Sequence, residues 1–168
     1  MTEIRDIFIT WLRDAHAAEE QALTMLGAQA GRLDHYPALR NRILQHQRET
    51  EEQRDILEAI LDRYDVAGSL LKDLSAKVMA GGQAMGGMMA GDEVIKGSMA
   101  SYTFEQMEIA AYTVLIETAH RLGDSQTAAD LVTILRQEEA MAAWLIEHMP
   151  DVVDTYLSRL ADGETAKR

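Results

Sequence analysis

Apolar residues recur at intervals of three and four along four long stretches of this chain, and only two prolines, Pro37 and Pro150, stand among its 168 residues. This spacing places apolar side chains on one face of an α-helix, and so few helix breakers allow long helices. The stripe of the first stretch includes Phe8, Trp11 and Leu12. The pattern predicts long helices over residues 3–30, 37–64, 92–122 and 125–149, and a short helix over 151–160 that begins after Pro150 ends the fourth long helix.

The connections between the predicted helices indicate how they are arranged. Short turns join the first helix to the second and the third to the fourth, whereas about 25–30 residues separate the second from the third, which is long for a compact domain. Within this link, the amphipathic pattern of residues 70–78 predicts a short helix, and residues 79–91 are rich in glycine and methionine. Two antiparallel pairs joined by one long crossover are typical of ferritin-like bundles. We therefore predict an all-α, ferritin-like four-helix bundle with a short extra C-terminal helix, a single domain over residues 1–162 and a frayed tail over 163–168.

Charge and cysteine content exclude several classes of protein. The chain has 28 acidic and 16 basic side chains, a formal net charge of −12, which disfavours binding to nucleic-acid phosphates and to anionic membranes. The absence of cysteine excludes disulfides, zinc fingers and thiol catalysis. No targeting signal and no apolar segment of membrane-spanning length is visible, so we expect a cytoplasmic protein with no nucleic-acid or membrane partner.

Acidic side chains occur within the apolar stripes, where a helical bundle would bury them. Each long helix has at least one carboxylate near the middle of its apolar face, and the second adds a histidine: Glu19, His46, Glu49, Glu105, Glu108 and Glu138. Carboxylates buried at one level cannot all stay ionised without partners. Two divalent metal ions would neutralise them, and a set of carboxylates with an imidazole suits iron or manganese.

Each of these residues also has an ordinary structural explanation. A single glutamate can reach solvent along its apolar stem, and a lone histidine can be a hydrogen-bonded core residue. Because buried-face carboxylates occur on all four helices, a shared cluster explains them better than a separate cause for each residue. We expect His16 to support the cluster or simply to pack, and Tyr112 either to bond a ligand carboxylate or to be a core aromatic residue. Glu139, off the stripe, is expected at the surface.

Four segments resemble the YciE/YciF-type branch of bacterial ferritin-like proteins: DAHAAEEQAL at 14–23, HQRETEEQRDILE at 46–58, ASYTFEQMEIAAY at 100–112 and LRQEEAMAAWL at 135–145. The resemblance implies a four-helix fold, a homodimer, a dinuclear metal site and a role in stress responses. It also implies that the six residues of the apolar faces match the metal ligands of this branch. Two features depart from the usual di-iron pattern of two Glu-x-x-His pairs: His46 precedes Glu49, and Met141 follows Glu138 at the spacing where histidine is usual.

Two functions are consistent with these features. The first is a dinuclear iron or manganese protein that oxidises bound metal or removes peroxide under stress, with oxygen or peroxide as the only small-molecule substrates indicated. The alternative is a metal-free structural or interaction protein whose buried carboxylates share protons in a closed hydrogen-bond network. The methionines of residues 79–91 could bind copper(I), although a flexible link whose methionines fill gaps against the bundle is the simpler interpretation.

Overall fold

The computed structural model describes residues 2–66 and 91–165, and within them four long α-helices form a bundle. These are α1 (Thr2–Ala30), α2 (Pro37–Arg63), α3 (Glu93–Leu122) and α4 (Ser125–Ala161). α1 packs on α2 and α3 packs on α4, and the two pairs meet through contacts of α1 with α3 and of α2 with α4. The predicted four-helix bundle is confirmed. The predicted helix at 70–78 and all but the last residue of the segment 79–91 lie outside the described residues.

The helix ends follow from local sequence. Pro37 is the first residue of α2, where its missing N–H costs no hydrogen bond. Gly123 ends α3 in the left-handed conformation, with φ at 75°, which glycine adopts without steric penalty. One residue later, the carboxylate of Asp124 accepts a hydrogen bond of 3.0 Å from the backbone N–H of Thr127 and caps α4. The turn between α3 and α4 is therefore short and fixed, and it holds these two helices in register.

The C-terminal part of the chain corrects the prediction of a separate short helix. α4 continues through Pro150 to Ala161 instead of ending there. Because proline has no backbone N–H, the carbonyl of Ile146 has no helical hydrogen-bond partner. Pro150 and Ile146 are both exposed, so this carbonyl lies on the solvent side and can bond water. Val152 is buried against the bundle and Tyr156 packs beside it, which stabilises the helix beyond the proline. Tertiary packing here outweighs the local preference of proline to end a helix.

Because the proline is accommodated at a cost, its replacement is expected to stabilise the protein. Pro150→Ala restores the backbone hydrogen bond and removes the ring clash, and we expect the free energy of unfolding to rise by about 1–3 kcal/mol. Urea unfolding followed by circular dichroism measures this change. Glu147→Ala, also at an exposed position of α4, is the control and should change stability by no more than a few tenths of a kcal/mol. Equal stability of Pro150→Ala and the unaltered protein would contradict the expectation.

Two apolar clusters fill the bundle, one toward each end. The first is built around Phe8, Leu12, Leu57, Leu115, Leu131 and Ile134. The second is built around Leu26, Tyr36, Ile43, Met141, Leu145 and Val152. On α4, Glu138 lies between Ile134 of the first cluster and Met141 of the second, and on α1 Glu19 lies between Leu12 and Leu26 in the same way. The polar residues of the apolar faces thus form a layer across the middle of the bundle.

Trp11 does not belong to the core, contrary to the stripe assigned from sequence. It is 36% exposed, whereas Phe8 and Leu12 are fully buried. Leu12 lies about 100° further round the helix than Trp11, so Trp11 projects from the edge of the buried face. Over residues 2–66 and 91–165, no helix is long and apolar enough to cross a bilayer.

Candidate metal centre

The polar layer receives side chains from all four helices and is almost completely buried. Five of the six predicted site residues are buried: Glu19, His46, Glu105, Glu108 and Glu138, none of them more than 3% exposed. Helical spacing explains this burial, because each residue is three or four positions from apolar residues on the same face. The two apolar clusters close the layer from above and below. The layer is therefore a dry site in which charge is poorly screened.

His46 lies at the centre of the layer and contacts carboxylates on both sides of its ring. Its Nε2 is 3.2 Å from Oε2 of Glu105 and 3.4 Å from Oε2 of Glu138. A single ring N–H cannot donate to both, and neither of these oxygens has a hydrogen-bond partner of good geometry among the described residues. The ligand atoms of the three side chains lie within 4.8 Å of one another. Such a set can hold one metal ion in the position between them.

Glu49 lies on the other side of the His46 ring and is half-buried. Its Oε2 is 3.0 Å from Nδ1 of His46 and accepts a hydrogen bond of 3.1 Å from Arg42, while its Oε1 accepts one of 2.8 Å from Gln45. Because a carboxylate accepts, Nδ1 carries the proton, and in the neutral ring this leaves the lone pair of Nε2 directed at Glu105 and Glu138. The structure therefore separates Glu49 from the buried group; its assignment as a ligand stays a prediction, and the contacts suit a residue that orients the imidazole.

Tyr112 and Gln53 hold two of the buried carboxylates in place. The hydroxyl of Tyr112 donates to Oε1 of Glu19, and the amide of Gln53 donates to Oε1 of Glu138. Gln53 also donates to Gln137, at 3.0 Å. Both roles considered for Tyr112 in the sequence are observed, because its ring is buried in the first apolar cluster and its hydroxyl bonds a site carboxylate. Each of these bonds fixes one oxygen of a carboxylate and leaves the other available.

Four carboxylate oxygens in the layer have no hydrogen bond of good geometry. Within residues 2–66 and 91–165 they are Oε2 of Glu19, Oε2 of Glu105, Oε1 of Glu108 and Oε2 of Glu138. A buried acceptor without a donor costs about 1–3 kcal/mol, and more if it is charged. One such atom is a local defect, whereas four in one layer indicate that something positive is needed there. The donor set, carboxylates with one imidazole, fits a divalent transition metal.

The pKa values of the layer show the same crowding of negative charge. Burial and the charge of Glu138 raise the pKa of Glu19 from 4.5 to about 8, and burial raises the pKa of Glu138 to about 7. Burial and the neighbouring carboxylates also raise the pKa of Glu108 well above its usual range. Without metal, the cluster therefore holds protons where cations would otherwise balance its charge.

In His46 and Glu49, by contrast, the pKa shifts favour the charged form of the side chain. Burial alone would lower the pKa of His46, but the adjacent carboxylates of Glu105, Glu138 and Glu49 outweigh it and raise the value to about 12. Burial would raise the pKa of Glu49, yet His46, Gln45 and Arg42 lower it to about 2. His46 and Glu49 therefore form an ion pair in the metal-free protein, and a bound metal would compete with the proton on Nε2.

The tertiary structure shows which of the remaining polar residues lie near the site. His16 is buried but lies away from the group, with Nε2 at 3.1 Å from Oε1 of Glu58. Glu139 is exposed, as expected. Arg42 was not singled out in the sequence, although it lies four residues before His46 and is therefore in phase with the site. The four-residue spacing from His46 could have predicted that Arg42 lies close enough to the site to pair with Glu49.

Comparisons with known proteins place the chain in a family. The model of a domain of unknown function, DUF892, matches residues 3–158. A protein from Xanthomonas campestris is 36% identical in sequence; the match covers 94% of this chain and 99% of that one, with a TM-score of 0.78. The E. coli stress protein YciF (22% identity, 92% and 99% covered, TM-score 0.72) and YcfI from Rhodopseudomonas palustris (23%, 84% and 92%, 0.67) share the fold. The chain therefore belongs to the DUF892 family, of the YciE/YciF type.

Proposed function

We propose that this protein is a non-haem metalloprotein that holds two divalent ions, iron or manganese, in the middle of its helical bundle. In this proposal the ions serve redox chemistry with oxygen or peroxide. The relation to YciF, described as a stress protein, is the reason to place this activity under stress conditions.

The four unpartnered carboxylate oxygens carry the proposal. A metal-free protein could tolerate the cluster only as a closed network in which every buried polar atom has a partner. The bonds from Tyr112 and Gln53 satisfy one oxygen each on two carboxylates. For the other four oxygens the described residues offer only the single Nε2 of His46, which lies 3.2 Å from Glu105 and 3.4 Å from Glu138 and cannot satisfy both. The arrangement therefore favours a metal centre over the alternative of a purely structural hydrogen-bond network.

The residues of the layer divide naturally between two ions. His46, Glu105 and Glu138 would hold one, because their ligand atoms already lie close together. Glu19 and Glu108, whose charges influence each other and that of Glu138, would hold the second. Carboxylates outnumber imidazoles in this set, which suits hard ions such as Mn(II) and Fe(II) better than copper.

Bound iron or manganese would supply a redox centre and a Lewis acid. The chain's own residues prepare that chemistry. Glu49 orients His46 so that Nε2 faces the carboxylates, and Tyr112 fixes the position of Glu19. The apolar clusters above and below exclude water, which strengthens every electrostatic interaction of the site.

Anaerobic titration of the chelator-treated protein with Fe(II) and with Mn(II) tests the metal centre. We expect saturation at about two equivalents per chain, because the proposed ligands divide into two half-sites. Calcium is the control ion, since a dry cluster with imidazole suits it poorly and it prefers more oxygen ligands. The absence of saturable binding of either transition metal would contradict the proposal. Oxygen and peroxide consumption by the loaded protein then tests the redox activity, and a loaded but inert protein would reduce the proposal to metal binding alone.

A further inference from the structure

Gln53 is the residue of α2 that lies inside the polar layer together with His46. It follows His46 by seven residues, which is two turns along the same face of the helix, and its side chain is fully buried. Glu49, which the sequence predicted as the second ligand from α2, is only half-buried. The position of α2 inside the layer is therefore occupied by a carboxamide.

Two acceptors fix the orientation of the Gln53 amide. Its Nε2 donates to Oε1 of Glu138 and, at 3.0 Å, to Oε1 of Gln137. An ionised carboxylate only accepts, so the nitrogen of the amide and not its carbonyl must face Glu138. Both N–H groups of Gln53 are then used, and its Oε1 is buried with no hydrogen-bond partner among the described residues. A buried carbonyl in this situation indicates an interaction that the protein alone does not supply.

Gln53 lies on the opposite side of Glu138 from His46. Oε1 of Glu138 accepts from Gln53, whereas its Oε2 is 3.4 Å from Nε2 of His46. Gln53 is also level with Glu19 across the packed helices α1 and α2, because the residues that follow these two in sequence form an ion pair of 3.8 Å. The side chain of Gln53 therefore lies in the half of the layer that contains Glu19.

We propose that the carbonyl oxygen of Gln53 is a ligand of the second metal ion, together with Glu19 and Glu108. The inference rests on the proposed metal centre and deepens it, because it adds a third ligand to a half-site that otherwise has two carboxylates. All three ligands of this half-site are then oxygens, a set that suits Mn(II). Glu138, with one oxygen toward each group, would lie between the two ions.

A neutral ligand at this position also balances the charge of the layer. The four buried glutamates of the layer carry four negative charges when ionised, which two divalent ions offset completely. The charge of Glu49 is already offset by Arg42, at 3.1 Å. With a neutral imidazole from His46 and a neutral amide from Gln53, the loaded layer has no net charge. This balance matters in a dry site, where an uncompensated charge is costly.

Mn(II) titration of the chelator-treated protein tests the inference, with the unbound ion measured by its electron paramagnetic resonance signal. We expect the unaltered protein to bind about two ions per chain and Gln53→Leu to bind about one, because the leucine has no oxygen. Gln53→Glu should again bind about two, since a carboxyl group offers a carbonyl oxygen whether or not it holds a proton. Gln106→Leu, the same change at an exposed position of α3, is the control and should bind about two.

The outcomes separate a ligand from a residue that only supports Glu138. Two bound ions in Gln53→Leu would show that Gln53 acts only through its bond to Glu138 and would overturn the inference. Failure of folded Gln53→Glu to restore the second ion would also overturn it. If circular dichroism shows that Gln53→Leu does not fold, Gln53→Met, an unbranched side chain without oxygen, takes its place. Fewer than two ions in the unaltered protein would contradict the two-ion proposal itself, whereas equal binding by the unaltered protein and Gln53→Leu would contradict only the role of Gln53.

Discussion

Glu138→Gln is expected to abolish tight binding of Fe(II) and Mn(II). The change removes a negatively charged ligand from the group formed with His46 and Glu105, but keeps the shape of the side chain and an oxygen that can accept from Gln53. Loss of a supporting partner outside the ligand set typically weakens metal affinity by 10- to 100-fold, so loss of a ligand should weaken it by at least about 100-fold. Anaerobic metal titration measures this effect.

The same substitution should stabilise the protein when metal is absent. Burial raises the pKa of Glu138 to about 7, so near pH 8 the folded chain must ionise a group that resists ionisation. Replacing it with a neutral amide removes this penalty, and we expect the metal-free protein to gain about 1–3 kcal/mol in unfolding free energy. Opposite effects on metal affinity and on metal-free stability distinguish a ligand from a residue that merely packs.

Glu139→Gln is the matched control for this prediction. Glu139 is adjacent in sequence but exposed, so its replacement should alter neither metal affinity nor stability beyond a few tenths of a kcal/mol. Retention of full metal affinity in Glu138→Gln would remove this residue from the proposed ligand set.

The metal-free protein is expected to lose stability as the pH rises from about 5 to about 8. The pKa of Glu19 is raised from 4.5 to about 8 and that of Glu138 to about 7, so in this range the folded chain holds protons that the unfolded chain has released. Above about pH 6.5, His46, with its pKa near 12, adds a further retained proton. Each extra proton lowers the unfolding free energy by about 1.4 kcal/mol per pH unit, giving a loss on the order of 8 kcal/mol across the range. Urea unfolding in the presence of a chelator measures it.

Metal should remove this pH dependence by holding the carboxylates ionised and displacing the proton of His46.

Glu49 has the opposite effect on stability, and only at low pH. Because its pKa is lowered to about 2, the stability that it contributes is complete above pH 4.5 and is lost as the pH falls from 4.5 towards 2. Glu138→Gln should flatten the profile between about pH 5 and 8, because one retained proton is gone. A chelated protein that is more stable near pH 8 than near pH 5 would contradict the proposed crowding of charge.

Local sequence determined the helices, their ends in all but one case, and the membership of the polar layer apart from Glu49. The three- and four-residue spacing of apolar residues marks one face of each helix, and a polar residue in phase with it is buried whatever the partner helix is. This is why Glu19, Glu105 and Glu138 could be predicted as buried from spacing alone. The turn at Gly123 was equally predictable, since its backbone conformation depends on one residue.

Tertiary structure alone decided which of these residues meet. Periodicity gives the face on which a side chain lies but not the rotation and offset of one helix against another. It therefore could not separate Glu49, which contacts Nδ1 of His46 and pairs with Arg42, from Glu105 and Glu138, which lie at Nε2. It could not show that α4 passes through Pro150, because the burial of Val152 against other helices stabilises that turn. Nor could it place Trp11 and Met107 at the edges of the cleft between α1 and α3, because a cleft is the space left between two helices and belongs to neither sequence segment.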